Sequence, residues 1–467
     1  RAPRPLQPPR EYSTASGFLA RLWWYPAEEA NGGHERRARD QSSIGEAIGE
    51  TIGKTERQHR EPSREMAMLL GLVPVVGSAR VTSHCSPLKR TPTSASSRLR
   101  WIRHGCGHGY AAGAKRGDAV IVAAAFTPAG AKIAGVGMAV PTQYLTNEDL
   151  SKLVETNDEW IRSRTGIGKR HVISGDESLT SLAADASKKA LEMAGINAED
   201  LDLILLATSS PDDIFGSACT VQAAIGAKGA LAFDVTAACS GFVVGMVNGV
   251  HFIRGGEYKN VLVIGADVLS RYVDWRDRGT CILFGDGCGA MVLTATEKVE
   301  DCCLLGFDMH SDGVGNHHLT AKFVNEAGEG GGGGVSSKPD AVEGAASGRG
   351  AFCNISMNGQ DVFKFAVRAV PDTVSKSLAR AELEASDIDH LVLHQANQRI
   401  IDGAAKKLGL SKDKVVSNIE KYGNTSAGSV PIALAEAVEE GRIKKGDVVA
   451  TAGFGAGLTW ASAILRW

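Results

Sequence analysis

The sequence predicts an α/β fold made of two related halves, on two observations. Beyond residue 130, short apolar strand-like runs alternate with longer helical ones, the pattern of layered α/β chains. Part of the first half also recurs in the second. Ala198-Glu-Asp-Leu-Asp-Leu-Ile-Leu-Leu206 is echoed 187 positions later by Ala385-Ser-Asp-Ile-Asp-His-Leu-Val-Leu393, and Asn260-Val261 by Asp447-Val448 at the same spacing. Self-similarity at a constant offset marks a duplicated unit.

Taken in order, residues 1–65 lack sustained hydrophobic periodicity and do not start with Met. Met66 opens a short apolar run, Met-Ala-Met-Leu-Leu-Gly-Leu-Val-Pro-Val-Val, followed by a stretch rich in Ser, Thr, Arg and Ala. Residues 66–130 hold eight Lys/Arg and one acid. That is the composition of a targeting segment. Residues 1–130 are therefore expected to be a disordered extension containing a presequence for the plastid stroma, with the mitochondrion as alternative. An unstructured tail with no address is the bland reading. Strands are predicted at Ile133–Val140, at Asp200–Thr208, at Leu231–Val235 (apolar enough to be buried), at Asn260–Gly265 and at Gly289–Thr294. Helix starts are predicted at Thr146 and Thr156. The first half is assigned to 131–301. The second, 302–467, has a strand ending at an exposed His394, helices at Arg399–Leu408 and from Val430, and a loop at Gly453–Gly457. It is interrupted at 326–350 by a low-complexity, glycine-rich insertion expected to be flexible.

Composition excludes several functions. Residues 131–467 carry 32 basic and 42 acidic side chains, which argues against generic nucleic-acid binding. No run of ~20 uncharged apolar residues exists, so no membrane span is expected. Nine cysteines without a Cys-x-x-Cys pair predict neither a metal site nor a disulfide framework.

One stretch carries chemistry. In Asp234-Val-Thr-Ala-Ala-Cys-Ser-Gly-Phe242 a strand end, a turn of small residues and a helix start follow one another. Cys239 is thereby placed at a helix N-terminus, where unpaired N–H groups and the helix dipole favour the thiolate and lower the thiol pKa. The competing reading is an inert buried cysteine. Carrying the 187-residue offset from Cys239 lands within two residues of Asn424, in Tyr422-Gly-Asn-Thr-Ser-Ala-Gly-Ser429, another small-residue turn before a helix. His394 ends the repeated strand; a lone His there is otherwise a structural residue. Cys, His and Asn form a sensible set for acyl transfer: a thiolate to attack a thioester, and two hydrogen-bond donors for an oxygen turning negative.

These residues resemble the β-ketoacyl-acyl-carrier-protein synthase III family, the initiating condensing enzymes of type II fatty-acid synthesis in the thiolase superfamily. The resemblance covers about residues 131–467. It rests on Asp158-Glu-Trp-Ile-Arg-Ser-Arg-Thr-Gly166, Ala237-Ala-Cys-Ser-Gly-Phe242, Asp277-Arg-Gly-Thr280, Phe284-Gly-Asp-Gly287, His394-Gln-Ala-Asn397, Gly423-Asn-Thr-Ser426 and Gly453-Phe-Gly-Ala-Gly457. It implies a thiolase-like five-layered αβαβα fold, a homodimer, and no cofactor, with acetyl-CoA and malonyl-acyl-carrier protein as thioester substrates. It implies catalytic Cys239, His394 and Asn424, and an oxyanion hole from the backbone N–H groups of Cys239 and Ala456. The family often has Gly at the latter position. It further implies a CoA site of Thr156, Trp160, Arg164, Arg278 and Asn397, with Trp160 and Arg278 sandwiching adenine. Phe215 and Phe454 would line the acyl pocket, Phe215 from across the dimer. Lys364, Arg399, Lys406 and Lys407 would dock the acidic carrier protein. Trp160 as a core aromatic and the four basic residues as a solvated face are the plainer readings. Biosynthetic thiolase is disfavoured by the absence of a Cys in Gly453–Gly457 and elongating condensing enzymes by Asn424 as the third member; type III polyketide synthases share Cys-His-Asn and are disfavoured by Trp160, Arg278 and Asp277-Arg-Gly-Thr280. An inactive scaffold is disfavoured by the complete triad.

Overall fold

A computed structural model describes residues 129–325 and 350–467. The presequence at 1–130 (but for its last two residues) and the insertion (but for Gly350) lie outside the described residues. Within them the chain forms two five-stranded sheets of identical plan. The first contains β1 (Gly130–Ala139), β2 (Leu203–Ala207), β3 (Leu231–Val235), β4 (Asn260–Val268) and β5 (Asp286–Thr296), in the order β1-β5-β4-β2-β3. The second contains β6 (Leu304–Ser311), β7 (His390–Leu393), β8 (Val415–Val416), β9 (Val448–Gly455) and β10 (Thr459–Arg466), in the order β6-β10-β9-β7-β8. The two parallel pairings of each sheet match as well: β2 is parallel to both β3 and β4, and β7 to both β8 and β9.

The helices repeat too. α1 (Leu179–Ala194), α2 (Ala218–Ile225) and α3 (Gly241–Arg254) belong to the first half. α4 (Gly359–Arg380), α5 (Gln398–Lys407) and α6 (Ser429–Glu439) belong to the second. α1 and α2 cover one outer face, burying Leu182, Ala186 and Val221 against Ile204 and Ile264. α4 and α5 cover the other, burying Ala366, Val370 and Ile401 against Leu391 and Ala450. α3 and α6 lie between the sheets, where Val243, Met246, Val247, Val430 and Leu434 share one core with Leu205, Val263, Val392 and Val449. Both central helices are apolar nearly all round because they are covered on both sides. The result is five layers, α-β-α-β-α, and no helix among the described residues is long and apolar enough to cross a membrane.

The predicted strands are present, and the helix start at Thr146 is real: Thr146 caps Asn147–Ser151. The next helix, Asp158–Thr165, is capped by Asn157 instead of Thr156. Three expectations need correction. β3 is an edge strand; Leu231 and Phe233 are exposed in the single chain, because no strand among the described residues pairs beyond it. Gly453–Gly455 is the buried end of β9, a strand and not a loop. His394 is buried, under α6.

The halves meet through reciprocal close approaches. Each central helix is entered by a one-turn 3-10 segment, Ala238–Ser240 before α3 and Ser426–Gly428 before α6. Each segment presses on the central strand of the other half. A Cβ at Gly453 would stand 2.8 Å from the Cys239 carbonyl oxygen, and one at Gly265 would stand 2.2 Å from that of Ala427. Only glycine permits such backbone contact. Gly453→Ala is therefore expected to destabilise the chain by about 1–3 kcal/mol through overpacking. Urea unfolding would register this as a lower midpoint, and an unchanged midpoint would contradict the approach described.

Candidate active site

Cys239 sits in the Ala238–Ser240 turn, 7% exposed. Ala238 is left-handed (φ +48°), and so is Ser426 in the opposite turn (φ +50°). Non-glycine residues persist there only where the surroundings over-determine them. A Cβ at Gly455 would stand 2.8 Å from the Cys239 nitrogen. The missing side chain leaves the space in front of that N–H open.

His394 follows β7, its N–H donating to Ala452 O at 2.8 Å. Its Nδ1 lies 2.6 Å from Ser429 Oγ, at the start of α6, and Phe454 packs edge-on at 5.1 Å between ring centroids. Ser429 Oγ also lies 2.9 Å from Ser426 O. The one hydroxyl proton of Ser429 serves either Ser426 O or Nδ1; when it turns to Nδ1, the shorter contact, the ring proton resides on Nε2. Burial pushes the imidazole down to about 3, so it is neutral at ordinary pH. Asn424 is fixed by cross-half pairing: its N–H donates to Leu283 O at 2.9 Å and its carbonyl accepts from Gly285 N–H at 3.0 Å. Its Oδ1 accepts from Ser426 N–H at 2.9 Å, which turns Nδ2 outward as a donor.

These three side chains line one cavity of about 430 Å³ together with Trp160, Arg164 and Phe363. A second cavity of about 220 Å³ opens on the other side of Cys239, walled by Leu269, Tyr272, Phe284, Leu319, Phe352 and Ile355. The sulfur stands where the two cavities meet.

The helix-terminus argument for an acidic thiol fails in this chain. Burial pushes the Cys239 thiol up to about 12, because withdrawing a charge from water outweighs the nearby dipole. Phe454 does not line the apolar pocket, and Phe215, expected to reach it from a second copy, lies outside it in the single chain. Phe215 is 97% exposed, and Phe454 is buried against His394 in the larger cavity. Of the CoA set, Trp160, Arg164 and Asn397 line the larger cavity. Arg278 lies directly on the Trp160 ring, 4.5 Å from its centroid, donating to Glu155 O, so an adenine must part the pair to be sandwiched. Asn397 donates to Arg164 O and caps α5. The Thr156 hydroxyl is buried without a partner. Lys364, Arg399, Lys406 and Lys407 are all exposed; Arg399 stacks on Phe363 beside the larger cavity. The sequence reading missed Ser426, whose Oγ donates to Cys239 Sγ at 3.2 Å across 187 residues. That is the repeat offset itself, so the signal was present. It also missed Ser429 and the apolar walls.

A buried thiol at a helix entry, opposed by neutral imidazole and carboxamide donors in a five-layered fold, defines a thiolase-like, acyl-transferring condensing enzyme. Comparison with known proteins agrees. Residues 233–313 match the family model for 3-oxoacyl-[acyl-carrier-protein] synthase III, and residues 378–467 match the model for its C-terminal part. The β-ketoacyl-[acyl-carrier-protein] synthase III of Microcystis aeruginosa is 55% identical, covering 72% of this chain and 97% of its own. The chloroplastic one of Arabidopsis thaliana is 54% identical, covering 73% and 83%. The crystal structure of the Aquifex aeolicus 3-oxoacyl-[acyl-carrier-protein] synthase III superposes with a TM-score of 0.64 at 42% identity, covering 72% of this chain and all of that one. The chain belongs to the 3-oxoacyl-[acyl-carrier-protein] synthase III family.

The low His394 pKa has a stability consequence. Above its ordinary value of 6.5 the imidazole is neutral in both folded and unfolded chains. Between 6.5 and about 3 the unfolded chain binds a proton that the folded site refuses. Stability should therefore fall as pH drops through this window, by at most roughly 1.4 kcal/mol per pH unit from this group. His394→Gln is expected to lose less stability than wild type between pH 6.5 and 5 in urea titrations. Equal losses would mean that His394 protonates freely.

Proposed function

We propose that this enzyme condenses acetyl-CoA with malonyl-acyl-carrier protein to give acetoacetyl-acyl-carrier protein, CoA and CO2, initiating fatty-acid synthesis. The convergence of Cys239, His394 and Asn424 on one cavity is the observation that carries this reading. The Cys239 sulfur attacks the acetyl thioester, CoA leaves through the larger cavity, and the acetyl methyl turns into the apolar pocket. The backbone N–H groups of Cys239 and Ala456 hold the oxyanion of this step; Ala456 borders the apolar pocket, and its methyl leaves its N–H intact. Malonyl thioester then enters the larger cavity. Loss of CO2 places negative charge on its thioester oxygen, where His394 Nε2–H and Asn424 Nδ2–H donate. The resulting carbanion attacks the acetyl carbonyl, and the sulfur departs. Neutral donors suit a buried site that must hold an anion only transiently, since they need no counter-charge in the resting state.

Trp160, Arg164, Arg278 and Asn397 fit the nucleotide and pantetheine end of CoA. Lys364, Arg399, Lys406 and Lys407 fit the acidic carrier protein. A homodimer is supported by the unpaired edge of β3, with exposed Leu231 and Phe233, and by the neighbouring exposed Ile214 and Phe215. Asp234 of β3 anchors that loop by accepting from Ser217 N–H. Exposed edges of this kind invite pairing with another chain, and pairing would bring Phe215 toward a second copy. The chloroplastic relatives favour the plastid.

Cys239→Ala is expected to abolish labelling by radioactive acetyl-CoA, and labelling of another residue would overturn the assignment. Asn424→Ala is expected to leave acetylation near wild type while slowing malonyl decarboxylation by ~10²–10³-fold, the usual effect of removing one oxyanion donor. Equal loss of both steps, measured separately by acetyl labelling and CO2 release, would assign Asn424 a different role. Trp160→Ala should raise KM for acetyl-CoA with little change in kcat; an unchanged KM would remove the ring from the CoA site.

A further inference from the structure

The nucleophile needs a route for its proton. The buried thiol is held protonated, and His394 is too weak a base to take the proton. Ser426 Oγ donates to the sulfur at 3.2 Å, and a turn of that hydroxyl toward Asp267 frees its oxygen to accept from the S–H. Ser426 in turn lies against Asp267, a carboxylate on β4 that is completely buried. Asp267 Oδ1 accepts from Ser209 N–H at 2.8 Å, Ser210 Oγ at 2.8 Å and Thr208 Oγ1 at 3.1 Å. Its Oδ2 accepts from Ala427 N–H at 3.2 Å, in the same turn as Ser426. No salt-bridge partner faces it among the described residues. A buried carboxylate without a cation is costly unless it has a task, and burial raises its proton affinity.

We propose that Asp267 is the base that activates Cys239, taking its proton through the hydroxyl of Ser426. The proposal rests on Cys239 being the acylated nucleophile. The Cys239 S–H bond breaks as its proton passes to Ser426 Oγ, while the Ser426 hydroxyl proton moves to Asp267 and forms a carboxylic acid. The buried cluster keeps a net charge of −1 during this transfer and becomes neutral when the CoA thiolate carries the charge away. Loss of the thiol proton to solvent would instead place two negative charges beside each other away from water. The leaving CoA thiolate takes its proton from solvent. When the condensation expels Cys239 as a thiolate, the proton on Asp267 returns through Ser426. One proton is thus consumed per turnover, as loss of CO2 from a malonyl carboxylate requires.

Proton counting supplies the test. Thiol with carboxylate and thiolate with carboxylic acid hold the same number of protons, so their ratio does not vary with pH. The titratable groups facing the relay, His394 from the end of β7 and Cys288 from β5, stay neutral through the neutral range. Alkylation of Cys239 by iodoacetamide, read by peptide mapping to separate it from the exposed Cys219 and Cys353, is expected to be flat from pH 6 to 8 in the full-length wild type. In Asp267→Asn and Ser426→Ala the thiolate forms only by proton loss to solvent, and the rate should climb about tenfold per pH unit. A merely structural role would lower rates without changing the slope. A unit slope in wild type, or a flat profile in both variants, overturns the relay. Iodoacetamide is not a thioester, so this result stands apart from whether acetyl-CoA labels the protein.

Discussion

The structure depends on the contact in which each half's helix-entry turn rests on the central strand of the other half. Gly453 lies under Cys239, and Gly265 lies under Ala427. A duplicated α/β unit with apolar central helices has no stable existence as one half, since α3 and α6 would each leave a face exposed. The reciprocal contact buries both helices at once. It also sets the separation of the two turns, and hence of the sulfur from the groups that serve it. Asn424 is fixed by the same principle: its backbone bonds go to Leu283 and Gly285 of the first half.

Near-symmetry makes the departures from it informative. On β4 the residue two beyond Gly265 is Asp267, whose carboxylate accepts from Ala427 N–H. On β9 the residue two beyond Gly453 is Gly455, which has no side chain to place over Cys239 N–H. The same position closes one turn and opens the other. The turn with the closed amide supplies Asn424 and Ser426, held in place; the turn with the open amide supplies the nucleophile and a vacant donor.

Much of this was legible in the sequence, for physical reasons that also explain the rest. The duplication showed because strands β2 and β7 and their leading turns keep the same hydrophobic pattern and spacing. Cys239 and Asn424 could be paired because the offset spans a rigid unit. The offset pointed still more directly to Ser426, but a serine among small residues looks like a turn former. β3 was misjudged because an apolar strand reads alike whether its cover comes from its own chain or from elsewhere. His394 looked exposed because the helix that buries it, α6, begins 35 residues later. The acyl pocket was invisible because Leu269, Phe284, Leu319, Phe352 and Ile355 come from separate segments, each an ordinary apolar residue locally.

The sharpest failure, the thiol pKa, follows from weighing a local effect without a global one. A helix terminus adds a fixed partial charge that sequence can reveal; desolvation depends on what all other segments cover. With Cys239 almost wholly enclosed, the second effect dominates. The same enclosure keeps His394 neutral, and it makes every donor aimed at a developing oxyanion stronger than it would be in water. An exposed cysteine would be a better nucleophile at rest but would sit among donors screened by solvent. Burial therefore favours the decarboxylation and condensation steps and hinders the first. An enzyme built this way must recover the thiolate by a route that creates no new buried charge. Of the groups around the sulfur, Ser426 backed by Asp267 satisfies that requirement, since it moves a proton without separating charge between the site and the solvent.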